Sequence, residues 1–188
     1  MKKLTCLLTI LLLSSFISFA RITPPPSGTV TLDAEWEQRE GIIVHYPWYP
    51  WFPFGNLFVT LSGIIDAAQD YGVVYITVQD EYQAHGCIND LTASGVPFDN
   101  IEFIYYSSAP DDEWTRDYGP WFVWEDDSTL SIADQRYFEG QQICDDFPDF
   151  LEELWDLNYY GADIQNEGGN MMTDGHGTMI MTDHVLDA

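Results

Sequence analysis

Three short runs rich in β-branched and aromatic residues constrain this chain most: Gly41-Ile42-Ile43-Val44-His45-Tyr46, Val73 to Val78 and Ile101 to Tyr106. Branching at Cβ favours extended backbone, so the runs read as strands, the first two deeply buried. Pro47 closes the first. Between the runs the period changes. Leu57, Leu61, Ile64, Ile65 and Ala68 recur at helical spacing within Leu57 to Gln69, and Gly72 stops that helix. Glu81 to Ser94 reads as a second helix, with Gly86 a weak point inside and Gly95 its stop. Trp48 to Phe54, aromatic and proline-rich, reads as a loop.

The pattern continues to the end of the chain. Trp121 to Trp124 and Leu130 to Ala133 read as paired strands across the turn Glu125-Asp126-Asp127-Ser128. Phe147 to Leu157 reads as a short helix with Phe150, Leu151, Leu154 and Trp155 on one face. Met171 to Thr173 and Thr178 to Thr182 flank Asp174-Gly175-His176-Gly177, a strong hairpin signal. Alternation of strands and helices from residue 41 onward predicts a mixed α/β domain.

The first twenty residues stand apart. Lys2 and Lys3 precede a nearly continuous apolar run from Leu4 to Phe19, and Ser18-Phe19-Ala20 offers small residues for cleavage. This is the layout of a secretory signal peptide, and the run is short of the ~20 residues that span a membrane. Export to a secreted or periplasmic location follows, with no membrane attachment after cleavage; an uncleaved anchor is the alternative. The expected organisation is a signal peptide over 1–20, an extended leader over 21–30 containing Pro24-Pro25-Pro26, and a folded part over 31–188.

The net charge is −25, with 31 acidic residues against six basic ones. Such a surface repels nucleic-acid phosphates and attracts cationic ligands; solubility in a salty habitat is the plainer reading. Disorder is excluded, because 46% hydrophobic and 15% aromatic residues require a packed interior. Cleavage would leave Cys87 and Cys144, a pair that permits a disulfide in an exported protein. Neither has an electropositive setting that would favour thiolate.

Two stretches carry chemistry: Asp112-Glu113-Trp114-Thr115-Arg116-Asp117-Tyr118-Gly119-Pro120 and Glu167-Gly168-Gly169-Asn170. A guanidinium is planar and offers five N–H donors in a fork that matches a rigid carboxylate. Its central carbon stays open to attack only if the carboxylates grip its rim. Asp117 suits this role, with Trp114 and Tyr118 placed to exclude water. The alternatives are a local Arg116–Asp117 ion pair, and an exposed Glu167 beside an ordinary glycine turn.

The segment Trp114 to Pro120 resembles the Trp-x-Arg-Asp-x-Gly-Pro signature of Porphyromonas-type peptidylarginine deiminases and the related agmatine deiminases. Ala34-Glu35-Trp36-Glu37 with Gly41 to Pro47 is similar to that family's opening strand, and Glu167 to Gly175, continued by Thr178 to Asp183, to its glycine-containing hairpin. The resemblance spans nearly all of the chain after residue 20. It implies a pentein, a five-fold pseudo-symmetric α/β propeller, present here in part and truncated at the C-terminus. The implied reaction is hydrolytic deimination of a cationic guanidinium, in an arginine peptide or in agmatine. A cysteine thiolate forms a thiouronium intermediate, a histidine moves protons, and no cofactor is needed.

Residue by residue, the resemblance assigns Asp117 to the guanidinium, Trp114 to the pocket wall, Gly168 and Gly169 to close backbone approach, and Glu167 to orienting the catalytic histidine. The family's His-x-Asp and its nucleophilic cysteine are expected beyond Ala188; His176, Cys87 and Cys144 do not match their positions. The chain therefore reads as an N-terminal fragment, inactive alone. A rival reading is a secreted acidic module binding Ca²⁺ through Glu125-Asp126-Asp127 or Asp145-Asp146, although no EF-hand spacing is present.

Processing after Ala20 is directly testable. Mass spectrometry of exported material should find Arg21 at the N-terminus, and an intact Met1 on membrane-bound material would exclude it.

Overall fold

A computed structural model describes residues 21–47, 51–52, 55–107, 113–126, 128–138 and 140–183. The expected signal peptide and most of the Trp48 to Phe54 loop lie outside them. In chain order the first part comprises β1 (Val30–Thr31), β2 (Gly41–His45), β3 (Trp51–Phe52), β4 (Gly55–Asn56), α1 (Leu57–Ala68), β5 (Val73–Val78), α2 (Glu81–Ala93) and β6 (Ile101–Tyr105). The three apolar runs form one parallel sheet in the order β2-β5-β6, with Ile42 opposite Val74 and Ile76 opposite Phe103. Parallel strands need crossovers, and α1 and α2 supply them. Asp80 caps α2 by accepting from the Gln83 N–H at 2.8 Å, so the helix begins where the strand's apolar run ends.

Alternation along these strands feeds two cores. Val44, Val74, Ile76 and Val78 pack with Phe58, Ile65, Ala84 and Leu91 of the two helices. On the opposite face, Ile43, Tyr75 and Ile104 meet a second cluster built on Tyr118, Ile132, Phe147, Leu151 and Tyr159. The sheet is thus covered on both sides, as a parallel sheet must be.

The second part continues with α3 (Thr115–Tyr118), β7 (Trp121–Glu125), β8 (Thr129–Arg136), α4 (Gln142–Asp145), α5 (Phe147–Trp155), β9 (Asn158–Gln165), β10 (Met171–Thr173) and β11 (Met179–Met181). The order β1-β7-β8-β9 forms a second sheet, antiparallel except for β8 with β9; β10 and β11 form a separate hairpin. Among the described residues no helix is long and apolar enough to cross a membrane.

The expected strands and helices are present, with corrections. α5 buries Phe147, Pro148 and Leu151, whereas Leu154, expected on the buried face, is 49% exposed. β9 was not expected. Its Gly161 faces the Arg21 carbonyl so closely that a Cβ would lie 1.9 Å from the oxygen, and Thr23 exchanges two 3.0 Å hydrogen bonds with it.

Beside β9 lies an unusual carboxyl. Asp134 is buried and accepts from the Tyr159 hydroxyl at 2.6 Å; burial drives its pKa from 3.8 up to about 7 despite that hydrogen bond. The folded chain therefore holds a proton that the unfolded chain releases near pH 4. This contribution is complete below the unfolded pKa and is lost as pH rises through about 7. Asp145 and Asp149, raised chiefly by burial, act in the same sense. Between about pH 4 and pH 7 Asp134 should lower the stability read by urea denaturation by up to about 4 kcal/mol, against the opposite trend that buried His45, its pKa lowered to about 4, adds over much of the same window. Asp134→Asn should remove that downward contribution; a pH profile unchanged from that of the parent chain would refute the assignment.

Candidate functional site

Glu113 and Trp114 lead into the short turn of α3. The Asp117 N–H donates to the Trp114 carbonyl at 2.8 Å and the Gly119 N–H to the Thr115 carbonyl at 2.9 Å. Tyr118 anchors this turn: it is buried, with its ring 5.7 Å from Phe147 and 6.2 Å from Tyr137. Neighbours on a helical turn diverge by about 100°. With Tyr118 directed into the core, Asp117 remains at the margin, half-buried. Trp114, expected to help exclude water, is 54% exposed in this chain.

The second stretch arrives from β9 as a 3-10 turn over Gly168–Asn170. It packs directly on α3. A Cβ at Gly168 would fall 2.2 Å from the Arg116 carbonyl oxygen, and one at Gly169 would fall 2.4 Å from Asp117 Oδ1. At Gly168 the neighbour is backbone, so only glycine permits the approach; at Gly169 it is a side chain. The Gly169 N–H donates to Asp117 Oδ1 at 3.1 Å, joining the two motifs across 52 residues. Asp117 and Gly169 are thus brought together, with Glu167 adjacent in sequence and half-buried.

Arg116 does not form the local pair with Asp117. Its Nη2 donates to Glu35 and, at 3.1 Å, to the Met171 carbonyl, while its guanidinium lies 4.8 Å from the centroid of the Trp121 ring. It therefore ties the opening stretch, α3, β7 and the hairpin together. Sequence reading placed Glu35 in a recognisable stretch but gave it no task, because its partner is 81 residues away. Asn170 continues the clamp: Oδ1 accepts from the Thr182 N–H at 3.1 Å and hydroxyl at 2.7 Å, and Nδ2 donates to Asn166 at 3.0 Å.

Charge is distributed unevenly around this scaffold. Arg21 pairs with Asp149 and Glu152, Arg39 with Asp33, Arg116 with Glu35, and Arg136 with Asp163. These four are the only basic residues besides Lys2 and Lys3. Among the described residues, then, Asp117 and Glu167 have no cationic partner, in a strongly acidic chain.

The other reactive groups lie elsewhere. Cys87 is in the first core and Cys144 in the second, and neither is in a disulfide. Burial first, then Asp90, pushes the Cys87 thiol up to about 12, opposite to a nucleophile's requirement. His45 is buried with both ring nitrogens unpartnered, and burial lowers its pKa to about 4. His176 is exposed in the hairpin turn.

The acidic clusters named for calcium are engaged within the fold where they are described. Glu125 accepts from Ser131, Asn158 and Tyr160; Asp126 accepts from Thr29, and Asp145 from Tyr137. Among the described residues no group of three His, Cys, Asp or Glu side chains is arranged to hold a metal ion.

The model of the Porphyromonas-type peptidyl-arginine deiminase family matches residues 31–187. A Mycoplasma mycoides protein provisionally named agmatine deiminase is 26% identical over 180 residues, covering 87% of this chain and 46% of that protein. Among solved structures, the agmatine deiminase of Enterococcus faecalis superposes with a TM-score of 0.70 at 21% identity, covering 85% of this chain and 45% of its own. A cysteine-to-serine variant of the C. jejuni agmatine deiminase, solved with substrate bound, gives 0.66 at 18% identity over 84% of this chain and 47% of its own. The fold is therefore that of a partial pentein, and the chain spans about half the length of these relatives.

The two glycines should fail differently. Gly168→Ala meets backbone, so thermal or urea melts should show a loss on the order of 2 kcal/mol, typical of a strained core insertion. Gly169→Ala meets the Asp117 side chain, which can rotate away. It should cost less stability but move the Asp117 carboxyl resonance in NMR spectra. Equal losses would contradict the geometry.

Proposed function

This chain belongs to the Porphyromonas-type peptidyl-arginine deiminase family, and from that premise we propose that it carries the guanidinium-gripping part of a hydrolytic deiminase. The observation behind this reading is the Asp117–Gly169 contact, which presents a carboxylate without a cationic partner on a backbone fixed from two directions. Gly169 occupies one oxygen of Asp117 and leaves lone pairs for the rim N–H groups of a guanidinium. Trp114 supplies an apolar wall, and Glu167 orients the histidine that moves protons.

In the proposed reaction a cysteine thiolate adds to the guanidinium carbon and the histidine protonates the departing nitrogen, which leaves as ammonia. Water then adds to the thiouronium carbon, the thiolate leaves, and a ureido group remains. Nucleophile and histidine are assigned to the part of the fold that the relatives carry beyond the region matched here. The buried, raised thiol of Cys87 supports that division. No metal or organic cofactor is required by this chemistry.

For substrate, we favour peptidyl-arginine, converted to peptidyl-citrulline, because the proposed export places the chain where proteins rather than metabolites are met. The Glu167-Gly168-Gly169 form and the names of the relatives support a second reading, agmatine converted to N-carbamoylputrescine.

The chain alone should release no ammonia from arginine peptides or agmatine. Ammonia release abolished by Cys87→Ser or Cys144→Ser would show that the nucleophile lies here after all. Joined to a homologous C-terminal half, the chain should turn over, and Asp117→Asn should then reduce kcat/KM by roughly 3 kcal/mol, about a hundredfold, as when one partner of a buried pair is removed. Near-native turnover in that variant would reject Asp117 as the guanidinium ligand.

A further inference from the structure

A cleft lined by neither Asp117 nor Gly169 opens between the two sheets. It encloses about 350 Å³ and is walled by Tyr75, Phe122, Trp124 and Trp155, with Asp33 and Glu40 at its rim. We propose that it binds a small organic ammonium ion with an apolar body. This inference does not rest on the deiminase reading.

The rings are held by the fold. Trp155, at the end of α5, stands edge-on to Tyr75 at 5.4 Å and lies 6.0 Å from Phe122. The Trp124 indole N–H donates to Asp33 Oδ2 at 3.0 Å, which fixes that ring. All four rings are only half-buried, so each keeps surface for a guest. The volume lies at the small end of ligand sites and suits a molecule of one ring and a short chain.

Charge selects the occupant. Arg39 reaches the rim but is committed, donating to the Ala34 carbonyl at 2.7 Å and the Asp33 carbonyl at 3.2 Å, with the Asp33 carboxylate 3.9 Å away. Among the described residues the Glu40 carboxylate is in no ion pair, and it accepts from the Tyr75 hydroxyl at 3.4 Å. The rim therefore carries one uncompensated negative charge within a chain of net charge −25. An anion is repelled. A neutral aromatic gains only burial, whereas an alkylammonium gains burial, ring-face attraction and the Glu40 carboxylate.

The test compares phenethylamine, cationic at pH 7, with 2-phenylethanol, its neutral counterpart, titrated into the full chain and followed by NMR. Saturable shifts of the Trp124 and Trp155 indole resonances are expected, with the amine binding about tenfold tighter than the alcohol. The Gly169 amide, which reports on the Asp117 site, should stay still. Glu40→Gln lies on the surface, so the fold should tolerate it; it should weaken the amine severalfold and leave the alcohol unchanged. Trp155→Leu should weaken both. Equal affinity for the two probes, shifts confined to Gly169, indifference to Glu40→Gln, or no saturation would each overturn the proposal.

Discussion

The arrangement depends on a parallel sheet that must be buried on both faces. Alternation along β2, β5 and β6 sends one set of side chains to α1 and α2 and the other to the second core. A one-residue slip of any strand would exchange the two sets, so register is fixed by both cores at once. The constraint extends beyond the strands. Tyr118 belongs to the second core, and its burial sets the rotation of α3, which in turn leaves Asp117 at the margin. The candidate site is therefore located by hydrophobic packing one residue away rather than by its own polar contacts.

Electrostatics then determines what the site can do. The exposed ion pairs of the four arginines are each worth at most about 1 kcal/mol, so they explain little of the stability. Their consequence is depletion. Every guanidinium in the described chain is engaged, and the half-buried carboxylates of Asp117 and Glu167 are left out of any ion pair among the described residues. Arg116 contributes in a second way, because its contacts with Glu35 and the Met171 carbonyl hold α3 and the glycine turn in one frame.

The sequence made the strands of the first sheet, both long helices and the hairpin legible, because each has a clean period or a strong turn signal. It hid β9. Asn158-Tyr159-Tyr160-Gly161-Ala162-Asp163-Ile164-Gln165 lacks regular alternation, and it becomes a strand through pairing with β8 and contact with Arg21 and Thr23. Leu154 was misplaced for a related reason: the buried face of α5 is chosen by Phe147 and Leu151 against a sheet that sequence period alone does not locate. At the site, Asp117 and the Gly-Gly pair could be found from their motif. The bond between them and the role of Glu35 could not, since both are products of the closed chain. Asp134 gave no signal, because a carboxyl becomes a proton store only through burial.

Position and environment are separable at Asp117. The carboxylate is held by Gly169, yet Trp114 beside it is 54% exposed, and the neighbouring hairpin leaves Met172 and Ile180 at 55% and 66% exposure. Two unit charges 4 Å apart attract by only about 1 kcal/mol in water, against about 4 kcal/mol at the effective dielectric near a protein surface. A guanidinium at this margin would meet the right geometry in the wrong medium. Covering Trp114, Met172 and Ile180 with apolar surface would supply both burial and a lower dielectric, strengthening the grip without moving an atom of it. If Asp117 grips a guanidinium as proposed, the dielectric around it sets the strength of that grip, and a carboxylate already held by Gly169 costs little reorganisation on binding.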